Sequence, residues 1–204
     1  MSGKSVNKGD DGMSKESDRK FYLKEFKAIS HAISTYGDLN LLINHLAEGT
    51  TKTFEAKGCC IMLFDETENQ LFTVSSYGIS DDYLLKGPLL VDSKYCAFVR
   101  GEPVFVEDLG SDSRVQYPGA AEKEGIVSML SIPILFHGES IGVIRIYHSE
   151  KKKYNEEDID ALKILAEHLG LVIEYNGLRN FLDQVETAVD SLPVRMLKGH
   201  NIAQ

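Results

Sequence analysis

The chain has 204 residues, 43% of them hydrophobic and 26% charged, which suits one domain with a full core plus one or two appended segments and speaks against wholesale disorder or a fibrous repeat. Its formal charge of −9 opposes a phosphate backbone, and the one basic run, Lys151-Lys152-Lys153, is followed at once by Glu156, Glu157 and Asp158, so nucleic acid is not an expected partner. No apolar run approaches the ~20 residues that a bilayer-spanning helix needs, and the N-terminus has no signal-peptide core, so a cytoplasmic protein without membrane contact is expected.

Residues 1–18 are rich in Ser, Gly, Lys and Asp and read as a disordered leader. From there a domain is expected over residues 19–176. Phe26, Ile29 and Ile33 recur at helical spacing before Gly37; Asp38 then caps a second helix with the stripe Leu41, Leu42, Leu46 and Phe54. Cys59–Phe64 and Leu71–Tyr77 form a hairpin around the polar turn Asp65–Asn69. A weak helical piece near Asp82–Lys86 follows, then a short helix over Ser93–Arg100 capped by Asp92, and a strand over Pro103–Glu107. Asp108–Gly125 reads as turn-prone, with a helical turn at Glu122–Glu124.

Ile126–Phe136 and Ser140–His148 are rich in branched apolar residues and are joined by a His137-Gly138 turn, which makes a second hairpin. Asn155 caps a long helix whose stripe Ile159, Leu162, Ala166, Leu169 and Ile173 packs on its own sheet. A second stripe, Leu178, Phe181, Val185, Ala188 and Leu192, gives residues 177–192 as a helical extension that acts as a dimer stalk; Pro193 stops it, and 193–204 are a tail. This order of elements predicts an α+β domain with a central antiparallel sheet and terminal helices on one face.

Five segments in order resemble the GAF family of small-ligand and regulatory domains: Gly58–Asp65, Gly101–Asp108, Glu124–Ile134, Gly142–Tyr147 and Tyr154–Asp158. The resemblance covers roughly residues 39–174. It implies a sheet of five or six strands, the first and last helices on one face, and on the other a ligand pocket roofed by short helices and loops within Tyr83–Gly125. The cyclic-nucleotide signature that some relatives carry, Asn, Lys, Phe, Asp and Glu, is not traceable in this sequence.

In that pocket the candidate liners are Tyr95, Cys96 and Phe98 from the short helix, Asp108 and Arg114 after the strand, and Tyr117 in the loop. Alternation puts Met129, Ser131 and Pro133 on one face of their strand and Leu130, Ile132 and Ile134 on the other. By the same rule Val143, Arg145 and Tyr147 share a face, so Arg145 and Tyr147 join Met129 and Ser131 on the pocket floor. A guanidinium there clasps a carboxylate or phosphate, or else pairs with an acid such as Asp108 or lies on an exposed rim.

Cys96 admits three readings: chromophore anchor, reactive thiol, or small buried apolar residue. Family relatives include a reductase of free methionine sulfoxide that uses several cysteines in the roof, whereas Cys59 and Cys60 here sit on a strand. The six histidines show no pair at helical ligand spacing, so no metal site and no catalytic residue are expected, and the cofactor is left unknown. The function expected is a sensory or regulatory module, in the manner of bacterial signalling proteins, that binds a small molecule and relays the signal through dimerising helices as a homodimer. The alternatives are a ligand-free dimerisation module and, as an outsider, a Cys-dependent methionine sulfoxide reductase.

Overall fold

Asp38 opens the first described helix as an N-cap should: its Oδ1 accepts the Asn40 amide at 2.8 Å, and α1 runs over Leu39–Thr53. The structure, a computed structural model, describes residues 38–91 and 96–190, the side chains of 188–190 excepted. The leader, the helix expected before Gly37, the Asp92 cap, Tyr95, Leu192 and the stop at Pro193 therefore lie outside the described residues.

After α1 the chain forms β1 (Gly58–Asp65), β2 (Gln70–Tyr77), α2 (Asp81–Leu84), β3 (Leu89–Leu90), α3 (Ala97–Arg100), β4 (Val104–Val106), α4 (Pro118–Glu124), β5 (Ser128–Phe136), β6 (Glu139–His148) and α5 (Glu156–Asp190). The strands make one six-stranded antiparallel sheet in the order β3-β2-β1-β6-β5-β4. Because β6 returns beside β1, the connection from β2 to β5 has to cross one face of the sheet, and it becomes the roof. At the β5–β6 turn His137 and Gly138 have φ of 50° and 86°, the paired positive values of a type I′ turn that matches strand twist.

The period of two sorts the sheet into two cores. Toward α1 and α5 point Cys59, Ile61, Leu130, Ile132, Ile134, Ile144 and Ile146, packed on Ile43, Ala47, Leu162, Ala166 and Leu169. Toward the roof point Cys60, Met62, Met129, Val143 and Tyr147, packed on Tyr83, Leu89, Ala97, Leu109 and Ala121. The aliphatic set thus faces the helices, as the alternation requires.

Three local differences from the sequence reading have simple causes. The short helix begins only at Ala97, with Cys96 as an N-cap that makes no side-chain capping bond. The stretch expected as turns holds α4, because Pro118, with its fixed φ and missing N–H, is suited to the first helical turn. The two-residue strand Leu89–Leu90 is too short for any periodicity to reveal.

Helix α5 runs without interruption through both Gly170 and Gly177, and their surroundings differ. A Cβ at Gly170 would lie 2.3 Å from the Leu135 carbonyl oxygen, so the absent side chain lets the helix lie directly on β5; at Gly177 nothing lies within 4 Å. Gly177→Ala should therefore raise stability by up to about 1 kcal/mol through helix propensity. Gly170→Ala should lower it by about 1 to 3 kcal/mol because backbone must move. Urea titration of both variants measures the two signs, and a stabilised Gly170→Ala would refute the close packing.

Candidate functional site

The register of the sheet lays out the floor of the roofed face. Val104, Ser131, Arg145 and Cys60 stand opposite one another in one cross-strand row, while Val106, Met129 and Tyr147 form the next. Above the row lies a cavity of about 70 Å³, walled by Cys96, Ala97, Val104, Val106, Leu109, Met129, Ser131 and Arg145 from below and one side. Tyr83, Lys86, Leu89, Val115, Gln116 and Tyr117 close it from the roof.

Short bonds hold the roof together. Tyr117 Oη donates to the Pro88 carbonyl at 2.8 Å, and Gln116 bonds the Leu90 backbone twice, accepting from its N–H at 3.3 Å and donating to its carbonyl at 2.8 Å. Glu124 on α4 accepts from both the amide and the hydroxyl of Ser80, the N-cap of α2, and lies 3.6 Å from Lys57.

At the floor, Ser131 Oγ, Arg145 Nε and Tyr147 Oη make no well-formed hydrogen bond among the described residues, although the Tyr147 hydroxyl lies near enough to Arg145, Cys60 and Tyr83 to interact with each. Ser131 is 2% and Tyr147 0% exposed. Buried polar atoms are nearly always paired, so unpartnered atoms on the facing residues Ser131 and Arg145 mark a place where a partner belongs. Burial pushes the Tyr147 and Cys60 hydroxyl and thiol up, the latter to about 12, so neither supplies an anion for Arg145. Among the described residues no carboxylate pairs with the Arg145 guanidinium.

The expected site residues are distributed unevenly. Cys96, Arg114, Tyr117, Met129, Ser131 and Arg145 line the cavity. Phe98 does not, because it packs on Phe64 with ring centroids 4.5 Å apart. Asp108 also turns away: it lies 3.3 Å from Lys151 Nζ and is held below the usual carboxylate range by that bond, which closes the Arg145–Asp108 alternative. Arg114 forks onto Asp112, with Nε 2.8 Å from Oδ1, and Asp112 is pulled down to about 2 by it. Tyr147 sits beneath the cavity wall, edge-on to Tyr83 at 5.7 Å.

Lys86 is the liner that the sequence reading passed over as the end of a weak helical piece. Its Nζ donates to the Tyr83 carbonyl at 3.0 Å and lies 3.8 Å from the centroid of the Tyr83 ring. Burial lowers its pKa to about 8. The available signal was a lone lysine after Asp81 and Asp82, followed directly by Gly87-Pro88.

Cys59 and Cys60 are buried on opposite faces of β1, and no group of three or more His, Cys, Asp or Glu could hold a metal among the described residues. No described helix is long and apolar enough to cross a membrane.

Residues 38–174 match the family model described as GAF domain. No curated protein sequence matches significantly. Among solved structures, the GAF domain of a phosphoenolpyruvate-protein phosphotransferase from Coxiella burnetii is 20% identical with a TM-score of 0.69, covering 78% of this chain and 96% of that one. The corresponding Acinetobacter domain is 17% identical with a TM-score of 0.67, covering 78% and 97%. A free methionine-R-sulfoxide reductase from Neisseria meningitidis, solved with its substrate, is 17% identical with a TM-score of 0.63, covering 85% and 96%.

A half-buried guanidinium with no carboxylate partner among the described residues costs stability in the empty protein, while a hydrophobic residue of similar length does not. Arg145→Met should therefore raise the stability of the ligand-free protein by about 1 to 3 kcal/mol. Chemical denaturation of exhaustively dialysed protein tests this, and a destabilised variant would mean that Arg145 is already satisfied.

Proposed function

Because the chain belongs to the GAF domain family, we propose that it is a sensory module of the bacterial cytoplasm that binds a small molecule in the roofed cavity and relays occupancy through paired α5 helices. The observation that carries this reading is the facing pair Ser131 and Arg145 on the cavity floor, whose Oγ and Nε have no hydrogen-bond partner among the described residues and which a ligand's polar atoms would satisfy. The module is read as a binder and not an enzyme. Cys60 is a poor nucleophile at a pKa of about 12, and Cys59 lies on the far face of the sheet from Cys96, so a relay of thiols lacks its second member.

The relay half of the reading rests on the outer face of α5. Ile164, His168, Leu171, Tyr175, Leu178, Leu182 and Val185 follow one another at alternating spacings of four and three, opposite the stripe that packs on β5. Leu171, Tyr175, Leu178 and Leu182 are each more than half exposed. This seam starts earlier than the stalk expected after Gly177 and takes in Leu182 in place of Phe181. The occupant is a second copy of the chain: Glu174 and Arg179 flank the seam five residues apart, the spacing at which a parallel coil sets an acid of one helix beside the partner's Arg179.

Native mass spectrometry of protein purified from cells should find a dimer that releases a small molecule on denaturation. Leu171→Glu with Leu178→Glu should give a folded monomer by light scattering. An empty cavity, unresponsive in melting temperature to a metabolite panel, would favour the ligand-free dimerisation module instead; an unchanged dimer would remove the seam as the interface. Thiol-dependent reduction of free methionine-R-sulfoxide, lost in Cys96→Ser, would overturn the non-enzymatic reading.

A further inference from the structure

We propose that the cavity takes a small oxyanion of about four heavy atoms, a short carboxylate or a planar inorganic anion, held between the Arg145 guanidinium and the Lys86 ammonium with Ser131 as a third donor. The proposal rests on the ligand-binding reading above and adds to it the class of ligand and a second cationic anchor.

Charge comes first. Among the described residues three cationic side chains line the cavity, Lys86, Arg114 and Arg145, and no acid does. Arg114 is neutralised by its fork onto Asp112. Glu124, the acid that approaches Lys86 from α4, spends its oxygens on Ser80 and Lys57. Two cations therefore face one enclosed space with no counter-charge among the described residues.

The donors agree with this. An ammonium has three protons, and the Tyr83 carbonyl takes one of those on Lys86; the tyrosine ring beneath then fixes where the other two can point. Ser131 stands directly opposite Arg145 in the β5–β6 register, so hydroxyl and guanidinium meet the same guest. Size limits the guest. A cavity of roughly 150 Å³ accepts benzene, with its six heavy atoms. The 70 Å³ present here suits a molecule of about half that bulk and is too small for a nucleotide.

The described groups that face Lys86 are Tyr83 of the helix just before it, Cys60 and Arg145 from the sheet, and Glu124 from α4. Cys60 and Tyr83 are both pushed to about 12 and Glu124 is held below the usual carboxylate range, so between pH 6.5 and 9.5 Lys86 is the member of this set that changes charge. Anion affinity should accordingly fall as pH rises through about 8, where Lys86 loses its proton.

The test is calorimetric titration of the full chain, in a Cys96→Ser background that removes the other thiol from the wall. Sodium nitrate, formate, acetate and bicarbonate are the probes, with benzoate as the size control, at ionic strength held constant with chloride. At least one small probe should bind saturably at one per chain and benzoate should not. Lys86→Gln should weaken binding by about tenfold or more and flatten its dependence on pH between 7 and 9. Arg145→Gln should remove binding. Wild-type affinity in Lys86→Gln, or preferred binding of benzoate or of a neutral molecule, overturns the oxyanion assignment and leaves the ligand-binding reading standing. Failure to bind any small molecule overturns both.

Discussion

Everything in this molecule follows from a sheet that is covered on both faces. The central strands β1, β6 and β5 have α1 and α5 on one side and the roof on the other, so their backbone polarity is consumed in the ladder and the side chains of their middle stretches are mostly interior. Half-buried antiparallel strands alternate apolar with polar, but a strand between two cores has no wet side and reads as continuously apolar, as Cys59–Phe64 and Met129–Ile134 nearly do. In such a strand a polar residue is conspicuous. Ser131, Arg145 and Tyr147 are such residues on the roofed face, whereas Ser128 and His148, buried at the ends of β5 and β6, are paired with the Glu150 carbonyl and the Tyr154 hydroxyl.

The cost of keeping them unpaired decides between two kinds of explanation. Each buried polar atom without a partner costs about 1 to 3 kcal/mol, and a whole domain retains only about 5 to 15, so even one or two such atoms weigh heavily on the total. A fold shaped for stability alone would replace them with apolar residues, since the neighbours are Met129, Val143, Val104 and Cys60. The acids that could have paired with Arg145 go elsewhere, Asp108 to Lys151, Asp112 to Arg114 and Glu124 to Ser80 and Lys57. A chain of net charge −9 thus gathers Arg145 and Lys86 around one cavity with no acid beside Arg145 among the described residues, and the sequence total conceals this because pairing, not composition, sets the local sign.

The sequence disclosed what periodicity encodes and little of what loops encode. Both hairpins, the Asp38 cap and the assignment of Arg145 and Ser131 to one face came from alternation and capping chemistry, which are local and nearly independent of tertiary context. The roof was harder because its positions are set by long-range bonds. Tyr117 is fixed by a carbonyl 29 residues away and Gln116 by a backbone 26 residues away, and no short-range signal predicts either. Phe98 and Asp108 were misplaced for the same reason: their partners, Phe64 and Lys151, come from distant segments. On α5 the stripe after Gly177 was legible, but periodicity alone does not say which of two interleaved stripes meets the domain's own sheet. Packing on Leu130, Ile132 and Ile134 decides that in favour of Leu162, Ala166 and Leu169.

The same covered sheet supplies a physical route between cavity and helix. β5 carries Ser131 at the cavity floor and, one residue to either side, Leu130 and Ile132 in the core beneath α5. Close-packed interiors have little free volume, so a strand that shifts to seat a guest at Ser131 has to displace the helix resting on its back. Gly170 brings the α5 backbone to the Leu135 carbonyl, and that contact leaves no compliant side chain to absorb the shift. The proposed seam lies on the opposite face of this helix, within the same rigid rod. On the proposed reading, rotation of this rod would change which residues present themselves to a second copy, and occupancy of the cavity would in that way bias the pairing of helices much longer than the cavity is wide.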